Sequence, residues 1–231
     1  MKILTIDGNN LVHRVYWVAN NIKNVKENYH VYMFLNSVKS YVELYKPDDV
    51  IGIIDKAARS ESVSKFYLTK KLYRHIIITV DRDLCQLINE KVSVYDPIRK
   101  YEINNDNFEE KLKYKKEDFI KVKALQGDKS DNIPGIKGMG KVKTEKYLKG
   151  EVELTNDEIE IYNKNLQLVK LTNDSEEVNY VNEQIYKASF DTNWDKFLDK
   201  CKELKFNNIL KKDTVWYNTF FQDNRLIDLL S

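Results

Sequence analysis

Aspartates at the ends of apolar runs are the first feature of this 231-residue chain that points to chemistry. Lys2 to Ile6 (KILTI) leads into Asp7, Asp49 to Ile54 (DVIGII) into Asp55, and His75 to Val80 (HIIITV) into Asp81, with Asp83 two residues later. Any one of them alone reads as a helix N-cap following a strand. Four at one edge of a sheet read differently, because carboxylates a few ångströms apart repel one another and hold protons unless a cation joins them. The donor set is all oxygen, without Cys or paired His, and suits Mg²⁺ or Mn²⁺ better than zinc. A second acid pair, Asp128 and Asp131, sits in GDKSDNIPGIKGMG, which holds four of the seven glycines. Three residues apart, the pair would face one way on a single helical turn. Gly135, Gly138 and Gly140 let the backbone behind it turn sharply, and a helix starting near Lys141 would add its N-terminal amides to an anion site suited to nucleic-acid phosphate. Lys137, Lys141, Lys143 and Lys146 surround that hairpin.

The elements that must position these residues follow from periodicity. The three apolar runs read as strands, Lys91 to Tyr95 as a fourth, and the segments between them as helices: Tyr29 to Leu44, Ser60 to Leu72, and one starting at Leu84. Strands separated by helices predict an α/β fold, a mostly parallel sheet with helices on both faces, with ligands bound beyond the carboxyl ends of the strands. After about residue 115 the pattern turns helical, with Lys116 to Gln126, Lys141 to Leu148, Asn156 to Leu171, Trp194 to Leu204 and Thr219 to Leu230 at helical spacing. Two parts are therefore expected, an α/β core over 1–115 and a helical region over 116–231. Tyr16 and Trp17 are expected in helix cores, with base stacking by Tyr16 or Tyr32 as the minor alternative. His13, His30 and His75 are expected as packing or surface residues, and Cys85 and Cys201 as reduced thiols.

Composition narrows the class. With 38 basic and 36 acidic residues the net charge is only +2, but Lys116 to Lys149 carries nine Lys against five acids, while Glu151 to Asp195 carries eleven acids against three Lys. A local basic stretch in a near-neutral chain fits a phosphate-binding patch, and the acidic segment a solvated face. No apolar run approaches the ~20 residues that span a bilayer, and the N-terminal apolar stretch is too short for a signal peptide, so a soluble cytoplasmic monomer is expected.

Three stretches, DGNNLVHRVYW, ITVDRDLCQLI and LQGDKSDNIPGIKGMGKVKTEKYL, resemble the 5' nucleases of the flap endonuclease type, the bacterial and phage 5'-3' exonucleases and the 5'-nuclease domain of DNA polymerase I. The resemblance covers roughly residues 1–150. It implies a PIN-like nuclease core followed by a helix-three-turn-helix module that grips duplex DNA. It also implies cleavage of 5' flaps, nicked or gapped duplexes and RNA-DNA primer ends in replication or repair, with two divalent ions. By motif, Asp7, Asp55, Asp81, Asp83, Asp128 and Asp131 match the catalytic and metal-binding acids. Asp83, Asp128 and Asp131 would serve one ion, and Asp55 and Asp81 the other. Gly138 and Gly140 join the four hairpin lysines on DNA, Arg14 is a candidate for the scissile or terminal phosphate, and a K⁺ ion would involve Ser130 and the carbonyls near Ile133 and Ile136.

The chain departs from the family at one place. Only 25 residues separate Asp55 from Asp81, with Glu61 the sole acid among them, where the family has a helical arch and a Glu-Ala-Asp-Asp motif. KAARSE resembles the stretch just after the second acid, and SKFYLTKKLYRHIIITVDRD the stretch just after the acidic motif. The simplest reading is that the piece between them is missing, whether lost in nature, removed by design or left out of the chain as written. The natural-loss reading predicts one well-formed metal site and a weakened second. A catalytically dead member that binds branched DNA is the alternative from another class, and a toxin-type PIN ribonuclease a weaker one.

Overall fold

The computed structural model describes residues 2–23, 26–47, 49–53, 74–171 and 193–220. Asp55, the expected helix over Ser60 to Leu72 and the junction between KAARSE and SKFYL lie outside the described residues.

A five-stranded sheet organises the first half, built from β1 (Lys2–Asp7), β2 (Asp49–Ile53), β3 (Arg74–Ile78), β4 (Val92–Asp96) and β5 (Tyr101–Ile103). The strand order is β2-β1-β3-β4-β5; the first four are parallel, and β5 returns antiparallel through a tight turn in which Asp96 accepts from the Ile98 and Arg99 amides. Period-2 alternation in β3 divides the core. Ile76 and Ile78 join Leu4, Ile6, Leu11, Val15 and Tyr41 beneath α1 (Gly8–Asn20) and α2 (Tyr29–Tyr45). Ile77 faces the other way, with Val92, Val94, Ile103, Leu84, Phe108 and Phe119. That second face is covered by a 3-10 turn (Asp83–Leu87), where a helix starting at Leu84 was expected, and by α3 (Phe108–Leu112) and α4 (Lys116–Gln126). Buried His75 bonds Thr5 across β1 and β3, and burial pushes its imidazole down to about 4, so it packs as a neutral side chain.

The connections leave β1 and β3 toward opposite faces, α1 to one and the 3-10 turn to the other. Neighbouring parallel strands whose connections diverge open a crevice at their carboxyl ends. Asp7 and Asp81 stand there.

Beyond α4, a two-stranded ribbon of β6 (Gly127–Asp128) and β7 (Ile133–Pro134) leads through a glycine turn into α5 (Lys141–Leu148) and α6 (Asn156–Val169). A capping box starts α6, Thr155 receiving the Glu158 amide while the Glu158 carboxylate takes that of Thr155. Three further helices, α7 (Trp194–Glu203), α8 (Asn207–Leu210) and α9 (Asp213–Phe220), enclose Cys201, Phe206, Ile209 and Trp216 and close over Val31, Tyr32 and Leu35 of α2. Among the described residues no helix is long and apolar enough to cross a membrane.

Candidate metal centre

Asp7 ends β1 and turns into the N-cap of α1, its Oδ1 accepting from the Asn10 amide (3.0 Å). Its Oδ2 accepts from the hydroxyl of Thr79 (2.8 Å), the residue just past β3, so one carboxylate ties the ends of two adjacent strands. Thr79 Oγ1 in turn accepts from the Asp81 amide (3.0 Å), and Asp81 Oδ1 from the Asp83 amide (2.8 Å). This relay sets the order of the three acids along the crevice. Thr79 played no part in the sequence reading; its signal is a hydroxyl two residues before an Asp at a strand end.

The hairpin brings in the other acids. Asp128 and Asp131 do not share a helical turn as their spacing suggested, because the chain leaves the helix at Gly127 and passes through the ribbon and its loop. Gly127 pairs with Pro134, and the backbones touch where the strands cross at Gly127 and Gly135. A Cβ on Gly135 would lie 2.1 Å from the Gln126 carbonyl oxygen, and one on Gly127 2.3 Å from the Gly135 nitrogen. Within the loop, Asp128 Oδ1 accepts from the Ser130 amide (2.9 Å) and hydroxyl.

The outcome is one cluster of Asp83, Asp128 and Asp131, each offering a carboxylate oxygen and all three oxygens within 4.8 Å of one another. Asp7 and Asp81 stand beside it. Burial chiefly, and then the charges of Asp131, Asp7 and Asp128, push the Asp81 carboxyl up to about 6, while Lys123 partly opposes them. Asp128 goes the other way: although burial opposes it, hydrogen bonds from Lys123 and Ser130 hold its carboxyl down to about 2. The cluster fits a hard divalent ion by its donors, all carboxylate oxygens, and by what it already draws in. The Lys123 ammonium, from the last turn of α4, contacts Asp83 and lies 2.6 Å from Asp128, a cation held between two of the three acids. Sequence reasoning counted Lys123 only as part of the basic stretch. Its signal is a lysine five residues before the hairpin Asp, one turn back on the helix that delivers it.

The other candidates divide. In the glycine turn Gly138 takes a positive φ of 77° and leaves open space around its Cα, whereas Gly140 is an ordinary N-cap residue of α5. Lys137, Lys141 and Lys146 sit on or before the basic helix, with Lys141 4.0 Å from Glu145. Lys143 differs, since it donates to Glu158 of α6 (3.0 Å) and is engaged within the fold. Arg14 donates to the Tyr41 hydroxyl (2.8 Å). Of the residues linked to K⁺, Ser130 bonds Asp128, Ile133 pairs with Asp128 in the ribbon, and the Ile136 carbonyl accepts the Met139 amide (3.0 Å). The expectation of buried aromatics on α1 is overturned: Tyr16 is 53% and Trp17 69% exposed, because α2 covers the helix through Leu11 and Val15 instead.

Comparison with known proteins places this arrangement. No family model matches the chain. It is 36% identical over 126 residues to a thermostable DNA polymerase I of Thermus thermophilus, covering 54% of this chain and 13% of that protein. It is 26% identical over 188 residues to a 5'-3' exonuclease of Mycoplasmopsis pulmonis, covering 60% and 63%. The chain thus spans about an eighth to a quarter of the polymerase relatives and less than two thirds of that exonuclease. An alignment to DNA polymerase I of Caldicellulosiruptor bescii runs over 228 positions yet takes in 74% of the chain, so that relative carries a sizeable stretch with no counterpart here. In fold, the chain matches T5 5'-exonuclease with divalent zinc ions bound, at a TM-score of 0.53 and 18% identity over 80% of this chain and 98% of that one. In sequence the chain is thus similar to proteins of the flap endonuclease and 5'-3' exonuclease family, and it shares its fold with one of them.

Proposed function

We propose that this chain is a metal-dependent 5' nuclease that hydrolyses phosphodiester bonds in flapped, nicked, gapped or primer-bearing DNA, in replication or repair. One observation carries the reading: acids from two distant parts of the sequence, Asp83 after β3 and Asp128 with Asp131 in the hairpin, converge within 4.8 Å at the crevice that Asp7 and Asp81 line. In this reading Asp83, Asp128 and Asp131 hold one Mg²⁺ or Mn²⁺ ion, and Asp7, Asp55 and Asp81 contribute to a second. Ions so placed supply Lewis acidity, activating a water and stabilising the leaving oxygen at phosphorus.

The chain's own residues do the rest. The Asp7–Thr79–Asp81–Asp83 relay keeps the carboxylates in fixed orientations, so little reorganisation is required when substrate arrives. At pH 7 and above Asp81 is ionised despite its burial, ready to hold positive charge. Lys123 balances the acids until a cation replaces it. The glycine turn, with Gly138 and Gly140, offers backbone amides to the duplex phosphates beside Lys137, Lys141 and Lys146, and Lys143 braces α5 against α6. Contacts to phosphate select DNA by shape, with little base preference and a steep fall in affinity with salt. Ser130 and the carbonyls of Ile133 and Ile136 border the loop where a K⁺ ion would sit.

A 5'-flap cleavage assay in Mg²⁺ tests the reading. Asp128→Ala is expected to lower turnover at least 100-fold while duplex affinity stays within about twofold. Unchanged cleavage by Asp128→Ala would refute the metal assignment. Absence of both cleavage and Mn²⁺ uptake in the unaltered chain would favour a binding module instead.

A further inference from the structure

Buried polar side chains that the nuclease reading leaves unused are few among the described residues, and one of them spans the hairpin that delivers two of the clustered acids. Asn165, on α6, is 2% exposed. Its Nδ2 donates twice, to the carbonyl of Ala124 (2.9 Å) and to the carbonyl of Pro134 (2.7 Å).

The two acceptors bracket the acid-bearing loop. Ala124 lies in the last turn of α4, where helix carbonyls run out of backbone donors, four residues before Asp128. Pro134 lies in β7, three residues after Asp131. Between them run Gly127 to Ile133, and the neck of that loop is the Gly127 and Gly135 crossing, closed by the Ile136 amide on the Leu125 carbonyl (2.9 Å). Asp131 itself is exposed at the tip, and the hydrogen bonds of Asp128 within the loop are to Ser130, next to it in the same loop. Asp83 belongs to a different element, which Lys123 of α4 links to Asp128, and the seating of the loop against that helix is set at the neck. To that backbone closure one side-chain amide, fixed in a helix that bears no acid of the cluster, adds a tie to both ends of the loop.

We infer that Asn165 is a positioning residue for the metal centre, latching the hairpin so that Asp128 and Asp131 meet Asp83. The inference rests on reading the three-acid cluster as a cation site. Only a side chain with two donors on one short arm serves both carbonyls. Aspartate would turn carboxylate oxygens against carbonyl oxygens, leucine of similar volume would leave both acceptors without their buried donor, and glutamine would push the neck apart by one methylene.

The test compares Mn²⁺ affinity, measured by electron paramagnetic resonance of the free ion, with thermal stability in EDTA, on the full chain. Asn165→Leu and the milder Asn165→Ser are set beside Val169→Ala, a cavity control at a buried position of the same helix. Asn165→Leu is expected to weaken Mn²⁺ binding at least tenfold and Asn165→Ser about threefold, while Val169→Ala, with a comparable fall in melting temperature, stays within twofold of the unaltered chain. Unaltered affinity in either Asn165 variant that folds overturns the latch, as does an equal loss in Val169→Ala. No Mn²⁺ uptake by the unaltered chain overturns the cation-site reading itself and the latch with it, an outcome distinct from loss in the variants alone.

Discussion

Asp81 gives the cluster its most direct energetic test, the substitution Asp81→Asn in metal-free protein. Its carboxyl is held at about 6 instead of the usual value near 3.8, first by burial and then by Asp131, Asp7 and Asp128. Below about pH 4 the group is protonated whether the chain is folded or not, and it costs nothing. As pH rises toward about 6 the unfolded chain gives up its proton while the folded chain keeps it, so stability falls; above about 6 the full cost persists. Two pH units at 1.36 kcal/mol each would come to about 3 kcal/mol. Partial exposure to solvent reduces this to about 1–2 kcal/mol. Asparagine removes the charge and keeps an oxygen to accept the Asp83 amide. Urea unfolding in EDTA should find Asp81→Asn more stable by about 1–2 kcal/mol near pH 8, with the gain shrinking to nothing near pH 4. Saturating Mn²⁺ should erase the advantage, since an ion bound to the native state alone stabilises it by about 2.7 kcal/mol at 100 times its Kd. A variant no more stable than the parent near pH 8, or a gain independent of pH, would refute the account of mutually repelling acids.

Two further substitutions probe the same region. Lys123→Met removes the ammonium that an incoming ion must displace, so Mn²⁺ should bind about tenfold more tightly, about 1.4 kcal/mol, while the metal-free protein loses stability. Weaker Mn²⁺ binding in a calorimetric titration would instead make Lys123 an organiser of the acids. Gly135→Ala drives a Cβ to 2.1 Å from the Gln126 carbonyl oxygen and should cost about 3 kcal/mol or more in denaturant unfolding, whereas Gly138→Ala meets open space and should cost only the roughly 1–2 kcal/mol of a left-handed backbone.

Much of the sheet and part of the site are legible in the sequence because they depend on local rules. β-prone runs ending in Asp place Asp7 and Asp81 at strand ends, and alternation in HIIITV assigns Ile76 and Ile78 to one face and Ile77 to the other. The GDKSDNIPG stretch announces a tight turn, although spacing alone suggested a helical turn for Asp128 and Asp131 where a ribbon stands. What was not legible depends on partners far away in the chain. Lys123 looks like any solvated lysine until the fold brings Asp83 to it from 40 positions earlier. Asn165 looks like a polar position on an amphipathic helix, and only the packing of α6 on α4 buries it. Tyr16 and Trp17 carry the apolar signature of a core, but with Leu11 and Val15 already turned inward on α1 they stay in water.

The docking of α7, α8 and α9 onto α2 bears on how this protein can be divided. A fragment ending after α6 would retain Asp7, Asp81, Asp83 and the entire hairpin, everything needed to assemble the acids described above. It would also strip the cover from Val31, Tyr32 and Leu35, leaving a sticky aliphatic and aromatic patch on the helix that shields the central strands. A fragment cut to the acid cluster is therefore expected to aggregate unless it keeps Trp194–Phe220, although that segment holds no acid of the cluster.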